Sequence, residues 1–223
     1  MRIKKNIIYF VAFLTVLFTV ISCERKIKNH SAPHSKIEEN YLDNFSLNEI
    51  KRLDNNWFNS WEWDKTALKS NSFHIELVDT IRIVWEDFDI NDSYFKQFDS
   101  LLISSGNYAI DLYSYNTFIE REKGNILVGF EVDTKVYVID KAKKMRCRIA
   151  QAGSIESIED AIWLQKHIVM FGYTSDENEK NTPFIWFTDL DKGVMVIYEY
   201  SKSFKGERRN YFFTKYPNTK PNF

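Results

Sequence analysis

Short runs of β-branched and aromatic residues, cut apart by turn residues, fill the chain beyond residue 107. They are Tyr108–Tyr115, Ile126–Glu131, Val136–Asp140, Met145–Ile149, His167–Tyr173, Phe184–Asp189 and Val194–Tyr200. Such runs favour strands, because branched and ring side chains pack well on a pleated surface. His74–Trp85 adds Ile75, Leu77, Ile81 and Ile83 at odd positions, the alternation of a strand pair or one long strand. With 18 Phe, 12 Tyr and 6 Trp against 7 Gly, the chain is an aromatic-rich sheet protein.

One segment has a helical period instead. Ser46-x-x-Glu49 is a capping-box signature, and Leu47, Ile50, Leu53, Trp57 and Trp61 follow at three- and four-residue steps. The cluster Trp57, Phe58, Trp61 and Trp63 could be a stacking platform for sugars or bases. A small helix docking on a sheet through its aromatic rings is the favoured reading. Asn91–Leu102 reads as a helical turn.

Two hairpins align. Val136–Asp140, a polar turn and Met145–Ile149 match Ile185–Asp189, a turn and Val194–Tyr198, with Asp140 and Asp189 49 residues apart. That interval lies in the range of a propeller blade. Ser104–Tyr108 looks like the turn into the first unit, and Trp163–Tyr173 has a similar part in the second. If the hairpins are equivalent, Asp140 lies over Asp189 and Tyr137 over Trp186, and both rings touch the core on corresponding faces. Arg146 and Arg148 are then exposed beside a buried Cys147, since strand side chains alternate. The expected class is mainly β, with antiparallel sheets, two propeller-blade-like units and a short N-terminal helix; a β-sandwich is the alternative. The run Tyr108–Tyr200 also resembles a group of uncharacterised bacterial lipoproteins, on Asp111–Tyr115, Glu159–Trp163 and Ile185–Leu190. That resemblance implies a fold built from blade-like repeats and no activity.

The amino terminus carries Arg2, Lys4 and Lys5, then fifteen uncharged residues, Ile7–Ile21. A basic start before a short apolar run is a secretory signal pattern, and the run is short for a membrane span of roughly 20 residues. Val20-Ile21-Ser22-Cys23 closes it and resembles the lipobox of bacterial lipoproteins at all four positions. The resemblance implies cleavage after Ser22, diacylglycerol on the Cys23 sulfur and acylation of the new terminus by a palmitate-class chain. Residues 1–22 are then a signal peptide, 23–40 a polar tether and 41–223 a single β-rich domain. Glu24, where an aspartate would retain the protein at the inner membrane, favours the outer membrane. Without residues 1–22 the chain has 27 basic and 31 acidic residues, a formal charge of −4, and no basic field for nucleic acid. Cys147 is left without an intrachain partner, which excludes a disulfide framework.

Catalytic signatures are sparse. Asp87-Phe88-Asp89-Ile90-Asn91 opens like a calcium loop, but Asp92 stands where glycine is needed and Phe98 where a bidentate glutamate belongs. His30 and His34 are four apart, with Pro33 between them opposing a helix. Gly153-Ser154 lacks the second glycine of a nucleophile elbow. Cys147 with His167 could form a nucleophile–base pair, but Cys147 alternates into the core. Glu86-Asp87 and Glu159-Asp160 are acid pairs whose members point to opposite strand faces unless a bend turns them together. No catalytic, metal or cofactor site is expected, and Cys23 is the one modified residue. The leading function is an envelope lipoprotein that binds a protein or surface ligand without catalysis. A small envelope hydrolase and an immunity-type lipoprotein that blocks a delivered toxin are the alternatives.

Overall fold

The computed structural model describes residues 47–61, 68–69, 72–123, 125–206 and 208–222. The expected signal segment and tether, with Cys23, His30 and His34, lie outside these residues, as do Ser46 and Trp63.

The described residues are mainly β, in three sheets. The first runs in the order β2 (Trp85–Asp87), β8 (Met145–Ala152), β7 (Thr134–Asp140), β4 (Tyr108–Asp111), β3 (Ile103–Ser105). The second runs β1 (Phe73–Thr80), β12 (Val194–Tyr200), β11 (Lys180–Asp189), β10 (His167–Ser175), β9 (Glu156–Leu164). The short β13 (Phe204–Lys205) joins the far end of β11. Between β4 and β7 the chain inserts the hairpin β5 (Thr117–Glu122) and β6 (Asn125–Phe130), and β14 (Thr219–Pro221) pairs parallel to β6. His74–Trp85 is therefore neither one strand nor a strand pair, because β1 and β2 join different sheets.

The first two sheets share one register in every ladder near the turns, and the ladders slip only further along, at Val136/Tyr137, Phe171/Gly172 and Ile75/Leu77. Asp140 faces Met145 and Asp189 faces Val194, each across a four-residue turn. Val138 pairs with Cys147 where Phe187 pairs with Val196, and Tyr137 with Arg148 where Trp186 pairs with Ile197. The match continues inward, with Ile110 on Val138 against Val169 on Phe187. It reaches the opening hairpins, where Ser105–Tyr108 and Leu164–His167 each close a two-residue loop. It holds at the outer edge too, where Trp85 pairs with Cys147 and Val78 with Val196. The turns explain this agreement. Asp140 Oδ1 accepts the Lys143 amide at 3.0 Å and Asp189 Oδ1 the Lys192 amide at 3.1 Å. The last turn residue is left-handed in both, Lys144 at φ 56° and Gly193 at φ 62°. Matched turns fix matched registers, and register fixes every face.

The sheets stack with the same face pointing the same way. Ile103, Ile110, Val136, Val138 and Cys147 of the first sheet share one core with Ile168, Met170, Trp186, Met195 and Ile197 of the second. The second-sheet counterparts of the former set are Ile162, Val169, Ile185, Phe187 and Val196. These lie in the other core, under the helices α1 (Leu47–Leu53) and α2 (Asn55–Asn59). Ile50, Trp57, Phe58 and Trp61 supply that cover, so the aromatic cluster docks a helix pair on a sheet and Trp57 is fully buried.

Two expectations about faces need correction. Tyr137 and Trp186 occupy equivalent positions but have different neighbours: Trp186 packs in the core between the sheets, whereas Tyr137 lies beneath the Arg146 guanidinium at 4.4 Å. Arg146 is half-buried over Tyr137 and Phe88 and pairs with Glu86 at 2.7 Å, so only Arg148 is exposed beside the buried Cys147. No further sheet covers that face of the first sheet among the described residues. A long cationic side chain that covers rings while keeping its charge near water meets the need.

The carboxy-terminal segment closes the fold. Between Arg208 and Pro221 it forms α4 (Phe212–Lys215) and β14. Phe212 and Phe213 enter the core beside Tyr113 and Phe130.

Candidate functional site

Chemistry collects where the helix pair, β9 and the carboxy-terminal segment meet. The helical period predicted from Leu47 to Trp61 is interrupted at Asp54, whose backbone leaves helical geometry at φ −131° and ψ 62°. Its Oδ1 accepts the Trp57 amide at 3.1 Å, an N-cap that starts α2 and seats a carboxylate in the junction. Asp54 is 8% exposed, and its Oδ2 is buried without a donor among the described residues.

β9 brings two more carboxylates to the same place. Its ladder with β10 slips between Phe171 and Gly172, so Asp160 faces Phe171, Ile158 faces Gly172, and Glu159 is the extra residue of a β-bulge. The bulge is the bend that strand alternation by itself lacks, and it buries both acids beneath the carboxy-terminal segment. Gly172 is required opposite it, since a Cβ there would lie 2.0 Å from the Ser157 carbonyl oxygen.

The two acids have different partners. Glu159 is saturated: Trp57 Nε1 donates to Oε2 at 2.9 Å, and Arg208 donates Nε to Oε1 at 3.0 Å and Nη2 to Oε2 at 2.7 Å. The same guanidinium donates to Ser60 and lies 3.7 Å from the centre of the Trp61 ring. It pins the helix pair, β9 and the terminal segment together. Asp160 Oδ1 accepts the Lys215 ammonium at 2.5 Å and the Ala161 amide at 2.8 Å. Tyr211 donates its hydroxyl to Asp54 Oδ1 at 3.4 Å.

Electrostatics separates these groups. Burial, and then the charge of Asp160, raise the Asp54 carboxyl to about 6. Burial also raises Asp160 against the pull of Lys215, and raises Glu159 against that of Arg208. A side-chain hydrogen bond from Asp54 favours the ionised form of Asp160. Two carboxyl groups can bond to one another only through a proton, so protonated Asp54 can link to Asp160, whereas ionised Asp54 leaves its Oδ2 without a donor.

Asp54, Asp160, Tyr211 and Lys215 line an open cleft of about 630 Å³, with Asn56, Asn59 and Thr214 as neutral hydrogen-bonding groups and Leu53 and Ile162 as apolar wall. The arrangement suits a ligand with a polar, hydrogen-donating head, and it also holds a protonatable carboxyl beside a second acid.

The other sequence candidates lie elsewhere. Cys23, His30 and His34 are outside the described residues. Asp89 Oδ1 accepts the Asn91 amide, and Asp92 caps the short helix α3 (Ser93–Lys96), so these acids serve turns. No group of three or more His, Cys, Asp or Glu residues among the described residues is placed to hold a metal ion. Cys147 is fully buried and its thiol is pushed up to about 11 by burial, which disfavours the thiolate. His167 sits in the other sheet, 3.8 Å from Asp189 and against Phe187. Sequence reasoning placed no functional residue at Asp54, Arg208, Tyr211 or Lys215. The one local signal was Gly172, a glycine inside an apolar strand, which marks a bulge or a close approach.

Compared with protein-family models, with curated proteins and with solved structures, the chain matches none.

Proposed function

We propose that the chain is a lipoprotein of the bacterial cell envelope, anchored through lipid on Cys23, whose β domain is a non-catalytic binding module. Its ligand sits in the cleft formed by Asp54, Asp160 and Lys215. The anchor rests on the basic start, the apolar run and the match at Val20–Cys23. The binding role rests on one observation, the buried Asp54 oxygen without a donor in the wall of an open cleft. An unsatisfied buried acceptor costs about 1–3 kcal/mol, a cost that a bound donor removes. The matched, same-facing sheets support reading them as propeller-blade-like units, since a sandwich would bury corresponding faces against each other.

Two experiments test this reading. Cys23→Ala abolishes lipid labelling and leaves an unprocessed precursor; continued acylation at wild-type size contradicts the anchor. Incubation with ester, glycoside and peptide substrates gives no turnover. A second reading, a small envelope hydrolase, is favoured by the Asp54 carboxyl, which titrates near 6 beside a second acid as a general acid–base pair requires. Turnover that Asp54→Asn abolishes in a folded protein establishes the hydrolase.

A further inference from the structure

We propose that the cleft at Asp54 takes a primary ammonium group, seated between Asp54 and Asp160 beside Lys215. This deepens the binding-module reading and rests on it.

The charges in the cluster do not balance. Three buried carboxylates, Asp54, Glu159 and Asp160, face two cations, Arg208 and Lys215. Arg208 is committed to Glu159 through both carboxylate oxygens, and Lys215 to Asp160. Asp54 has neutral donors only, the Trp57 amide and the Tyr211 hydroxyl, both on Oδ1. Its Oδ2 has no donor among the described residues. Buried charges are stable when paired, so the cluster lacks one cation.

Geometry selects the kind of cation. A guanidinium binds best when both oxygens of one carboxylate are open to its fork. Here Oδ1 of Asp54 and Oδ1 of Asp160 are already occupied. An ammonium is compact, carries three donors and needs one open oxygen at a time. Lys215 makes such a contact on Asp160 at 2.5 Å. Leu53 and Ile162 on the cleft wall suit a methylene stem, while Asn56, Asn59 and Thr214 suit the polar body behind it.

The proton is the competitor. The charged and titratable groups that act on Asp54 are Asp160 from β9, whose charge favours its protonation, and Tyr211 and Lys215 from the terminal segment, which favour its ionised form; burial tips the balance toward the proton. An ammonium must displace the proton that links Asp54 to Asp160, so binding weakens as that proton becomes available.

The test is an NMR titration of the full folded protein with three probes. Nα-acetyl-lysine methylamide offers a side-chain ammonium, glycinamide a terminal one, and the Nε-acetylated form of the first offers none. Saturable binding of either free amine, with at least tenfold weaker binding of the acetylated probe, supports the proposal and identifies the source of the ammonium. Affinity at pH 5 falls about tenfold below that at pH 7.5, from a group titrating near 6. Asp54→Asn abolishes binding; should that variant not fold, the acetylated probe on the wild-type protein carries the same test. Equal binding of free and acetylated amines overturns the proposal, as does potassium ion occupying the site with no competition from amine. Failure of amine binding without any turnover defeats the ligand class alone, whereas turnover defeats the binding-module reading whatever the amines do.

Discussion

The first and second sheets have the same ladders and opposite fates. Val138 and Cys147 correspond to Phe187 and Val196, and Tyr137, Arg146 and Arg148 to Trp186, Met195 and Ile197. In the first sheet the latter face carries arginines, because no sheet stacks on it among the described residues. In the second it carries Trp, Met and Ile, because the first sheet packs against it. Register came from the turns, and side-chain identity followed the neighbour. The ladders also slip at different strands: β8 carries its extra residue at Ile149, β1 at Glu76 and β9 at Glu159, and the polar cleft lies beside the last of these. A repeated scaffold thus gains a site where its repetition is locally broken.

Perturbations at the bulge have the largest expected effects. Arg208→Met leaves Glu159 buried without its cation and costs about 3–5 kcal/mol in chemical denaturation; a loss under about 1 kcal/mol would mean that the clamp is incidental. Gly172→Ala drives a Cβ into the Ser157 carbonyl and costs roughly 3 kcal/mol. Gly153→Ala, with nothing within 4 Å of the added carbon, is the control.

Acidity has the next effect. Because the folded Asp54 carboxyl sits at about 6 and an ordinary one at 3.8, folding favours its protonated form. That contribution is fully present below 3.8 and is lost as pH rises through about 6. The wild type should therefore lose on the order of 2 kcal/mol relative to Asp54→Asn between pH 4 and pH 7. Parallel stability profiles for the two proteins would contradict the assignment.

The smallest effects compare the matched turns. Gly193→Ala forces a left-handed φ of 62° on a residue with a Cβ and costs about 1 kcal/mol. Lys144→Gly, at the equivalent φ of 56°, stabilises by roughly 0.5 kcal/mol. Opposite signs in thermal melts support equivalent turns, and equal signs break the correspondence.

Those turns were also the most legible part of the sequence. Asp140 and Asp189 sit where apolar runs stop, so the hairpins, their 49-residue offset and their register could be read from local pattern. β5 was missed because Thr117-Phe118-Ile119-Glu120-Arg121-Glu122 is mostly exposed and polar, and β14 because its partner β6 is distant in sequence and β14 itself has no pattern. The cleft was illegible for a related reason. Asp54, Asp160 and Lys215 come from three distant segments, and only the bulge at Glu159 lets neighbouring acids bury together. Alternation gave the rule for such a pair, and the tertiary fold supplied its exception.

The cleft depends most on an Asp54 carboxyl held out of the ordinary range by burial and by Asp160. Side-chain carboxyl ¹³C shifts followed across pH in the wild type and in Asp160→Asn measure this directly. The predicted midpoint for Asp54 is about 6 in the wild type and lower once the Asp160 charge is removed. A wild-type midpoint near 4, unmoved by the Asp160 substitution, would contradict the site.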